Sequence, residues 1–327
     1  MTVLIVSFLA ICIVAYLILN AVYKRSVAYK NANLAINKFK GTIPSSLQLV
    51  NFGSTYAMYA FNIYEDLKLN AFNFSIDAQS LEIDDCLLRK YTSNIAPGAT
   101  VIFGLAACVT YYRYSMVSDK TRYYEFLGKQ YIPDYSYARA LRNTFPLTMG
   151  RMKSMVVSFL KGNEEKTIYS GYTSQLPLQK MEANMKGLAD GWIKLFHLKD
   201  LKQKDNSIEN NKNKDFNTAL LRKVFDYCLN RGWKPVVVIP PFSGILNQYF
   251  GNEFVSGSLK AMIEESRMDL NIEVLDYRLC PAFQNDYGLY LDGGFRLNKR
   301  GSEMFVKMVL NDLNAKGHNL TNSSIGC

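Results

Sequence analysis

The chain has 327 residues, of which 49% are hydrophobic and 20% are charged, and its formal net charge is +10. This length suits one large domain, or one domain with a sizeable insertion. The positive charge does not indicate nucleic-acid binding, because the sequence has no zinc-ligand spacing, helix-turn-helix pattern or RNP-like aromatic strand.

The cysteines and histidines exclude two further classes of protein. The six cysteines form no Cys-x-x-Cys pair, and Cys86, Cys108 and Cys228 fall on apolar faces or in apolar runs, which favours small buried side chains over a disulfide framework. The two histidines, His197 and His318, are far apart in the sequence. A zinc site is therefore not expected.

The N-terminal segment is the strongest pattern in the chain. No charged residue occurs from Thr2 to Tyr23, and this apolar run is long enough to cross a bilayer as a helix. A cleaved signal peptide is the alternative, but no Lys or Arg precedes the run and no small-x-small cleavage site follows it. We predict an uncleaved, single-pass transmembrane anchor over residues 1–23 and a basic juxtamembrane linker over residues 24–45.

The side of the membrane on which the main domain lies stays open. Lysine and arginine are concentrated directly after the apolar run, and the positive-inside rule then places the main domain in the cytoplasm. Free cysteines agree with that side. The family resemblance described below favours the opposite side.

The first half of the main domain alternates strands with helices. Apolar runs predict strands at residues 47–52, 71–74 and 100–105, and helical periodicity follows the first two of them. Pro97-Gly98 is expected to end the second helix. The third strand is apolar throughout, which is typical of a strand buried on both faces.

The alternation stops at about residue 110 and resumes at about residue 215. We interpret residues 110–215 as an insertion that covers or shapes a site, and its polar end, residues 199–215, as a mobile loop. After it come a helix that begins near Phe216, strands at residues 235–240 and 272–276 with a helix at residues 255–268 between them, and a last helix that begins near Lys299.

This order of elements predicts an α/β fold for residues 46–327, a three-layer α/β/α sandwich around a five-stranded parallel sheet. Ligands bind such sheets beyond the carboxyl ends of the strands. Ser54 and the segments 104–108, 240–242 and 276–292 are therefore expected at one rim.

Ser54 is the first candidate site residue. It follows a buried strand and opens a helix, so its hydroxyl group is expected at the rim, where free helix amides stabilise negative charge that develops on a bound carbonyl. The alternative is an ordinary serine at a helix N-cap.

Three short motifs occur in a recognisable order. They are FGSTY at residues 52–56, PPFS at residues 240–243 and LDGGFRLNKRG at residues 291–301. This layout resembles the SGNH (GDSL-like) esterase and acyltransferase superfamily, especially membrane-anchored types found with cell-surface polysaccharide or teichoic-acid acylation. The resemblance covers most of residues 46–315 apart from the insertion, and it implies a flavodoxin-like fold without a cofactor.

The resemblance also implies roles for individual residues. Ser54 matches the nucleophile, the glycine amide of the oxyanion hole falls at Asp77 or Ala78, and Gly104-Leu105-Ala106 stands where the family has Gly-x-Asn. The late Asp-x-x-His block corresponds to Asp292-Gly293-Gly294-Phe295, or to a register that ends at Arg296. The expected asparagine and histidine are both absent. The motifs add binding candidates at the rim, which are Gly53, Phe242 and Asn298.

Neither histidine of the chain is a good replacement for the missing base. His318 lies in a polar tail beyond the last helix, and His197 lies among lysines in the insertion. Arg296 stays protonated and cannot act as a base, but it can hold an anionic group or a sugar hydroxyl.

Three functions remain. The first is an O-acyl esterase or O-acetyltransferase that acts on a cell-surface polysaccharide through Ser54 with Asp292. The second is a non-catalytic descendant that binds a glycan or a membrane partner, with a cleft lined by Tyr, Arg and Asn. The third is a structural membrane component whose insertion contacts a partner protein.

Overall fold

The computed structural model describes residues 1–149, 153, 156, 157, 164–170 and 176–320. Contacts within the chain define two compact units. The N-terminal unit consists of Met1–Thr42 and Asp119–Ser170, and the α/β unit consists of Ile43–Ser118 and Gly171–Cys327. The predicted insertion, residues 110–215, is thus divided between the two units.

The α/β unit contains one five-stranded sheet in which every pairing is parallel. The strand order is 2-1-3-4-5, the flavodoxin-like doubly wound order. The parallel sheet predicted from the sequence is thereby confirmed. The strands are β1 (Leu47–Phe52), β2 (Ala71–Asn73), β3 (Ile95–Gly104), β4 (Lys234–Ile239) and β5 (Glu273–Asp276).

Thirteen α-helices have both of their ends within the described residues. They are α1 (Thr2–Arg25), α2 (Val27–Ala32), α3 (Leu34–Asn37), α4 (Thr55–Ala60), α5 (Leu81–Lys90), α6 (Tyr137–Thr144), α7 (Leu178–Leu195), α8 (Ile208–Leu229), α9 (Gly244–Asn247), α10 (Asn252–Val255), α11 (Ala261–Arg267), α12 (Pro281–Gln284) and α13 (Lys299–Ala315). A π-helical segment, Ser256–Lys260, joins α10 to α11.

The helices of the α/β unit flank the sheet in two groups. Helices α5, α8 and α11 pack together, and the ring of Phe225 on α8 lies 5.8 Å from that of Phe103 on β3. Helices α4 and α13 form the second group, with the rings of Phe61 and Phe305 5.5 Å apart. Right-handed crossovers in this strand order place the two groups on opposite faces of the sheet.

Pro97-Gly98 does not end a helix, contrary to the prediction. Helix α5 already ends at Lys90, and β3 begins before the proline, at Ile95. The pairing of β1 with β3 is irregular between Leu47 and Leu49, opposite this segment. A bulge tolerates a residue without a backbone N–H, which explains why a proline occurs within a strand.

The predicted mobile loop at residues 199–215 is also wrong in its second half, because helix α8 begins at Ile208. Ser207 caps this helix by accepting a hydrogen bond from Asn210 N at 3.4 Å. Asn210 Nδ2 donates to Phe196 O at 2.8 Å. The polar side chains of this tract satisfy backbone groups of the fold, a use that composition alone does not reveal.

Helix α1 of the N-terminal unit is long and apolar enough to cross a membrane. It has 24 residues, and its most apolar stretch has a mean hydropathy of 2.9 and buries none of its residues in the protein. At 1.5 Å per residue the helix is about 36 Å long, which exceeds the ~30 Å hydrocarbon core of a bilayer. The predicted linker contains the short helices α2 and α3.

Candidate functional site

Strands β1 and β3 are neighbours at the centre of the sheet, and the chain leaves them toward opposite edges. Such a switch point opens a crevice at the carboxyl ends of the strands. The two strands approach closely there, because a Cβ atom on Gly53 would lie 2.5 Å from Gly104 O. Gly53 also has φ +139°, a backbone conformation that favours glycine. Both conditions exclude a side chain at the residue before Ser54.

A cleft of about 200 Å³ lies at this switch point. Segments that follow β1, β2, β3 and β5 contribute to it, together with the C-terminal half of helix α7. Its lining residues are Ser54, Thr55, Tyr56, Ala78, Gln79, Val109, Tyr112, Leu188, Trp192, Leu195, Phe196 and Phe295.

Ser54 is the N-cap residue of helix α4, but its side chain makes no capping hydrogen bond to that helix. Its Oγ instead accepts a hydrogen bond from Gln79 N at 3.2 Å. Ala78 N donates to Thr55 Oγ1 at 3.3 Å, and Ala78 has φ +46°. The left-handed turn at residue 78 thus directs two consecutive backbone amides at the two hydroxyl groups on the floor of the cleft.

A buried carboxyl group lies directly behind this floor. Asp84 is 2% exposed, and its carboxyl group accepts hydrogen bonds from the side-chain amide of Gln79 and from Gly53 N–H. Burial raises the pKa of Asp84 to about 7, although both hydrogen bonds oppose the rise. Gln79 Oε1 accepts from Ile76 N at 3.1 Å, so Gln79 joins Asp84 to the turn that precedes residue 78.

Asp292 organises a turn and is itself absent from the cleft lining. Its Oδ1 accepts hydrogen bonds from the backbone N–H groups of Gly294, Phe295 and Arg296, at 3.1, 2.9 and 3.1 Å. Its Oδ2 lies 3.2 Å from Arg296 Nε. This carboxylate has the role of the loop aspartate that caps a turn.

The turn held by Asp292 places Phe295 in the cleft. The ring of Phe295 lies 5.4 Å from that of Trp192 and 6.0 Å from that of Tyr56. Ser243 fixes the turn from below, since its Oγ donates to Gly293 O at 2.8 Å. In the register that ends at Phe295, an aromatic ring therefore stands where the resemblance implies a histidine.

Of the nine candidate residues named from the sequence, Ser54 and Ala78 line the cleft. Gly53 and Gly104 are buried beneath it, and Phe242 is buried behind Phe295, with the two rings 5.6 Å apart. The remaining candidates, which lie outside the lining, are Asp77, Asp292, Arg296 and Asn298.

The two outer candidates of the late motif have structural contacts. Arg296 pairs with Asp292 and lies over the ring of Tyr59, 5.7 Å from its centroid. Asn298 is the N-cap of helix α13, and its Oδ1 accepts from Gly301 N at 2.9 Å. Because of these contacts, the charged side chains of the motif, Asp292 and Arg296, lie outside the cleft lining.

The structure places neither histidine in the cleft. His318 Nδ1 is 2.8 Å from Thr100 Oγ1. Thr100 precedes the last residue of β3, Gly104, by four positions, about 13 Å along the strand and away from the carboxyl edge. His197 is exposed, one residue beyond Phe196.

Most of the cleft wall was not predicted from the sequence. Leu188, Trp192 and Leu195 occur at i, i+4 and i+7 on helix α7, a spacing that places them on one face. The lining also includes Tyr112, from the tyrosine-rich segment after β3. The helical spacing was visible in the sequence, but it does not say which part of the protein the apolar face covers.

The chain matches no protein-family model and no curated protein sequence.

Proposed function

We propose that this protein is a membrane-anchored binding protein that holds a sugar unit of a cell-surface glycan in its aromatic cleft without forming a covalent intermediate. The proposal rests chiefly on the composition of the cleft. Five of its twelve lining residues are aromatic, and none of the twelve carries a charged side chain. A neutral ligand with both apolar and hydroxyl faces suits such a cleft.

The arrangement of the polar groups supports a sugar over a purely apolar ligand. Ser54 and Thr55 provide hydroxyl groups on the floor, while Trp192, Tyr112 and the other aromatic side chains form the walls. Aromatic faces pack on the C–H faces of pyranose rings, and the floor hydrogen-bonds to ring hydroxyls. The absence of a cationic side chain from the described lining argues against a phosphate or carboxylate ligand.

Covalent catalysis by Ser54 needs a base that the described lining lacks. A serine hydroxyl without an adjacent general base loses a factor of about 10²–10⁴ in rate. Asp292 is committed to three backbone N–H groups and to Arg296, and of this turn Phe295 lines the cleft while Asp292 does not.

A second candidate, a serine O-acyl esterase or O-acetyltransferase acting on the same class of polysaccharide, is favoured by one observation. Ser54 Oγ lies at the cleft beside two consecutive backbone amides, a type of group that stabilises an oxyanion. Those amides donate to Ser54 and Thr55 here, so they would have to turn toward a bound carbonyl.

The experiment that separates the two candidates uses the full-length protein in detergent. Native protein and a Ser54→Ala variant are treated with a fluorophosphonate probe and with a chromogenic acetyl ester. We expect no labelling or turnover above the level of the variant. Labelling and turnover that depend on Ser54 would establish the esterase and contradict the binding proposal.

A further inference from the structure

Helix α6 of the N-terminal unit presents exposed apolar side chains. Tyr137 and Leu141 are 72% and 61% exposed, and their i, i+4 spacing places them on one face of the helix. Lys129 Nζ lies 2.6 Å from the hydroxyl group of Tyr137. A tyrosine with a lysine at its polar end is suited to the boundary between lipid headgroups and acyl chains.

The C-terminal end of α6 is attached to helix α1. Asn20 Nδ2 donates to Thr144 O at 2.9 Å, and Lys24 Nζ donates to Asn143 O at 3.5 Å. The rings of Tyr16 and Phe145 are 6.0 Å apart. These contacts lie in the C-terminal part of α1, which ends with the basic residues Lys24 and Arg25.

Because α1 is the proposed membrane anchor, its charged end marks the bilayer surface. The C-terminal end of α6, which is attached to α1, is therefore held at that surface. Because α6 has only eight residues, its N-terminal end also lies near the surface. This step rests on the membrane anchoring stated under the proposed function.

A polar pocket of about 190 Å³ lies in the same unit. Two arginines, Arg122 and Arg142, line it together with Asn143, whose carbonyl contacts Lys24. One carboxylate, Asp119, is also in the lining, and it accepts hydrogen bonds from the backbone N–H and the hydroxyl group of Thr121. The other lining residues are Tyr29, Asn33 and Pro146.

We propose that the N-terminal unit is a docking surface for an anionic bilayer. In this arrangement Tyr137 and Leu141 insert at the boundary between headgroups and acyl chains, and the pocket holds the phosphate of an anionic lipid headgroup between Arg122 and Arg142. Planar guanidinium groups bind phosphate through paired N–H donors. The charge of the surrounding sequence agrees, since α1 ends with Lys24 and Arg25 and three lysines follow it within residues 30–40.

The test uses the full chain reconstituted in nanodiscs of phosphatidylcholine, with or without 30% phosphatidylglycerol, a composition chosen as roughly that of an anionic membrane. Hydrogen exchange of residues 137–144 is measured in both. We expect exchange to be at least about fivefold slower in the anionic discs, because each arginine near an anionic surface contributes about a fivefold preference. Equal exchange in the two discs would overturn the proposal.

Two sets of variants assign the effect. Arg122→Ala and Arg142→Ala should each remove most of the difference between the discs, Arg122→Lys should keep part of it, and Leu141→Ser should raise exchange in both. Arg300→Ala, an exposed arginine of the α/β unit, is the matched control and should change nothing. If the pocket variants behave like Arg300→Ala, the pocket does not hold the headgroup and the proposal is wrong.

Two further measurements keep the outcomes distinct. Carbonate extraction from membranes reports whether α1 is inserted, so failure of the anchor is distinguished from failure of the docking surface. Inorganic phosphate is titrated into the detergent-solubilised protein. Protection of residues 137–144 by free phosphate equal to that in anionic discs would show a soluble-anion site and contradict lipid docking.

Discussion

Asp84 is positioned to link the stability of the protein to pH. Its carboxyl group is buried under the loop that carries Ser54, and burial raises its pKa from an ordinary 3.8 to about 7. The folded state therefore binds this proton more tightly than the unfolded state does. Between pH 4 and pH 7 the unfolded carboxyl group has released its proton while the folded one retains it, so this group makes stability fall as pH rises, by an amount on the order of a few kcal/mol.

We predict that Asp84→Asn removes this part of the pH dependence. Thermal unfolding of the full chain in detergent is measured at pH 4.5 and pH 8 for the native protein, for the variant, and for Asp226→Asn, which alters an exposed ion pair. The loss of stability on going to pH 8 should be smaller in Asp84→Asn than in the other two. An equal loss in all three would show that Asp84 is not the titrating group.

Two glycines of the α/β unit have opposite effects on the stability of the protein. A Cβ atom on Gly53 would lie 2.5 Å from Gly104 O and 2.9 Å from Ala57 Cβ, with φ at +139°. Gly187, on the exposed face of helix α7, has no atom within 4 Å of the corresponding position. The first glycine is required by close packing, whereas the second only weakens a helix.

We predict that Gly53→Ala lowers the free energy of unfolding by more than about 2 kcal/mol through backbone strain and overpacking. Gly187→Ala should raise it by up to about 1 kcal/mol. Thermal unfolding of the two variants beside the native protein checks both signs. If Gly53→Ala is as stable as the native protein, the close approach of β1 and β3 is not as described.

At the scale of elements, helix α8 supports one wall of the cleft through a single side chain. Asn217 is fully buried, and its Nδ2 donates to the carbonyl groups of Val109, Thr110 and Tyr112, at 3.3, 2.9 and 3.1 Å. Val109 and Tyr112 line the cleft. One amide thus fixes the segment that follows β3, which has no strand partner of its own at this point.

We predict that Asn217→Ala destabilises the protein by about 2–3 kcal/mol, because the carbonyl groups of Thr110 and Tyr112 lose this donor and Val109 O keeps only Tyr112 N. Asn213→Ala on the same helix, where the side chain is partly exposed, is the matched control and should cost less than about 0.5 kcal/mol. Chemical or thermal unfolding gives both values. Equal effects of the two substitutions would contradict the supporting role of Asn217.

The elements differ in how far the sequence predicted them. The five strands were predicted within a few residues of their observed bounds, apart from the early start of β3, because each is a short apolar run between turn residues. The position of Ser54 followed from the end of β1. The contribution of α7 to the cleft did not, since periodicity gives the apolar face of a helix and not the surface that it covers.

The same limit applies to the late motif. The spacing of the motif placed Asp292 near the rim. The hydrogen bonds that Asp292 accepts from three backbone N–H groups depend on the conformation of residues 292–296, which no pattern of residue types specifies. Asp84 was missed for a similar reason, because it lies in the first turn of an amphipathic helix, where an acidic residue is ordinarily a solvated charge.

At the scale of the whole molecule, the chain separates two kinds of surface. The cleft, with its neutral aromatic lining, belongs to the α/β unit, and the basic and apolar groups that suit a bilayer belong to the N-terminal unit. The segment 119–170 of the predicted insertion belongs to the unit that contains α1. This division supports a protein that binds its ligand with one unit while the other holds it at the membrane.

The measurement that tests the binding claim most directly uses the fluorescence of Trp192. The chain has two tryptophans, and Trp233 is buried just before β4, so a Trp233→Phe variant leaves Trp192 as the only tryptophan reporter in the cleft. This variant is titrated with a panel of neutral and acidic oligosaccharides. We predict a saturable change with a neutral saccharide that is weakened about tenfold or more by Ser54→Ala or Tyr112→Ala. No saturable change with any saccharide, or one that survives both substitutions, would contradict the account.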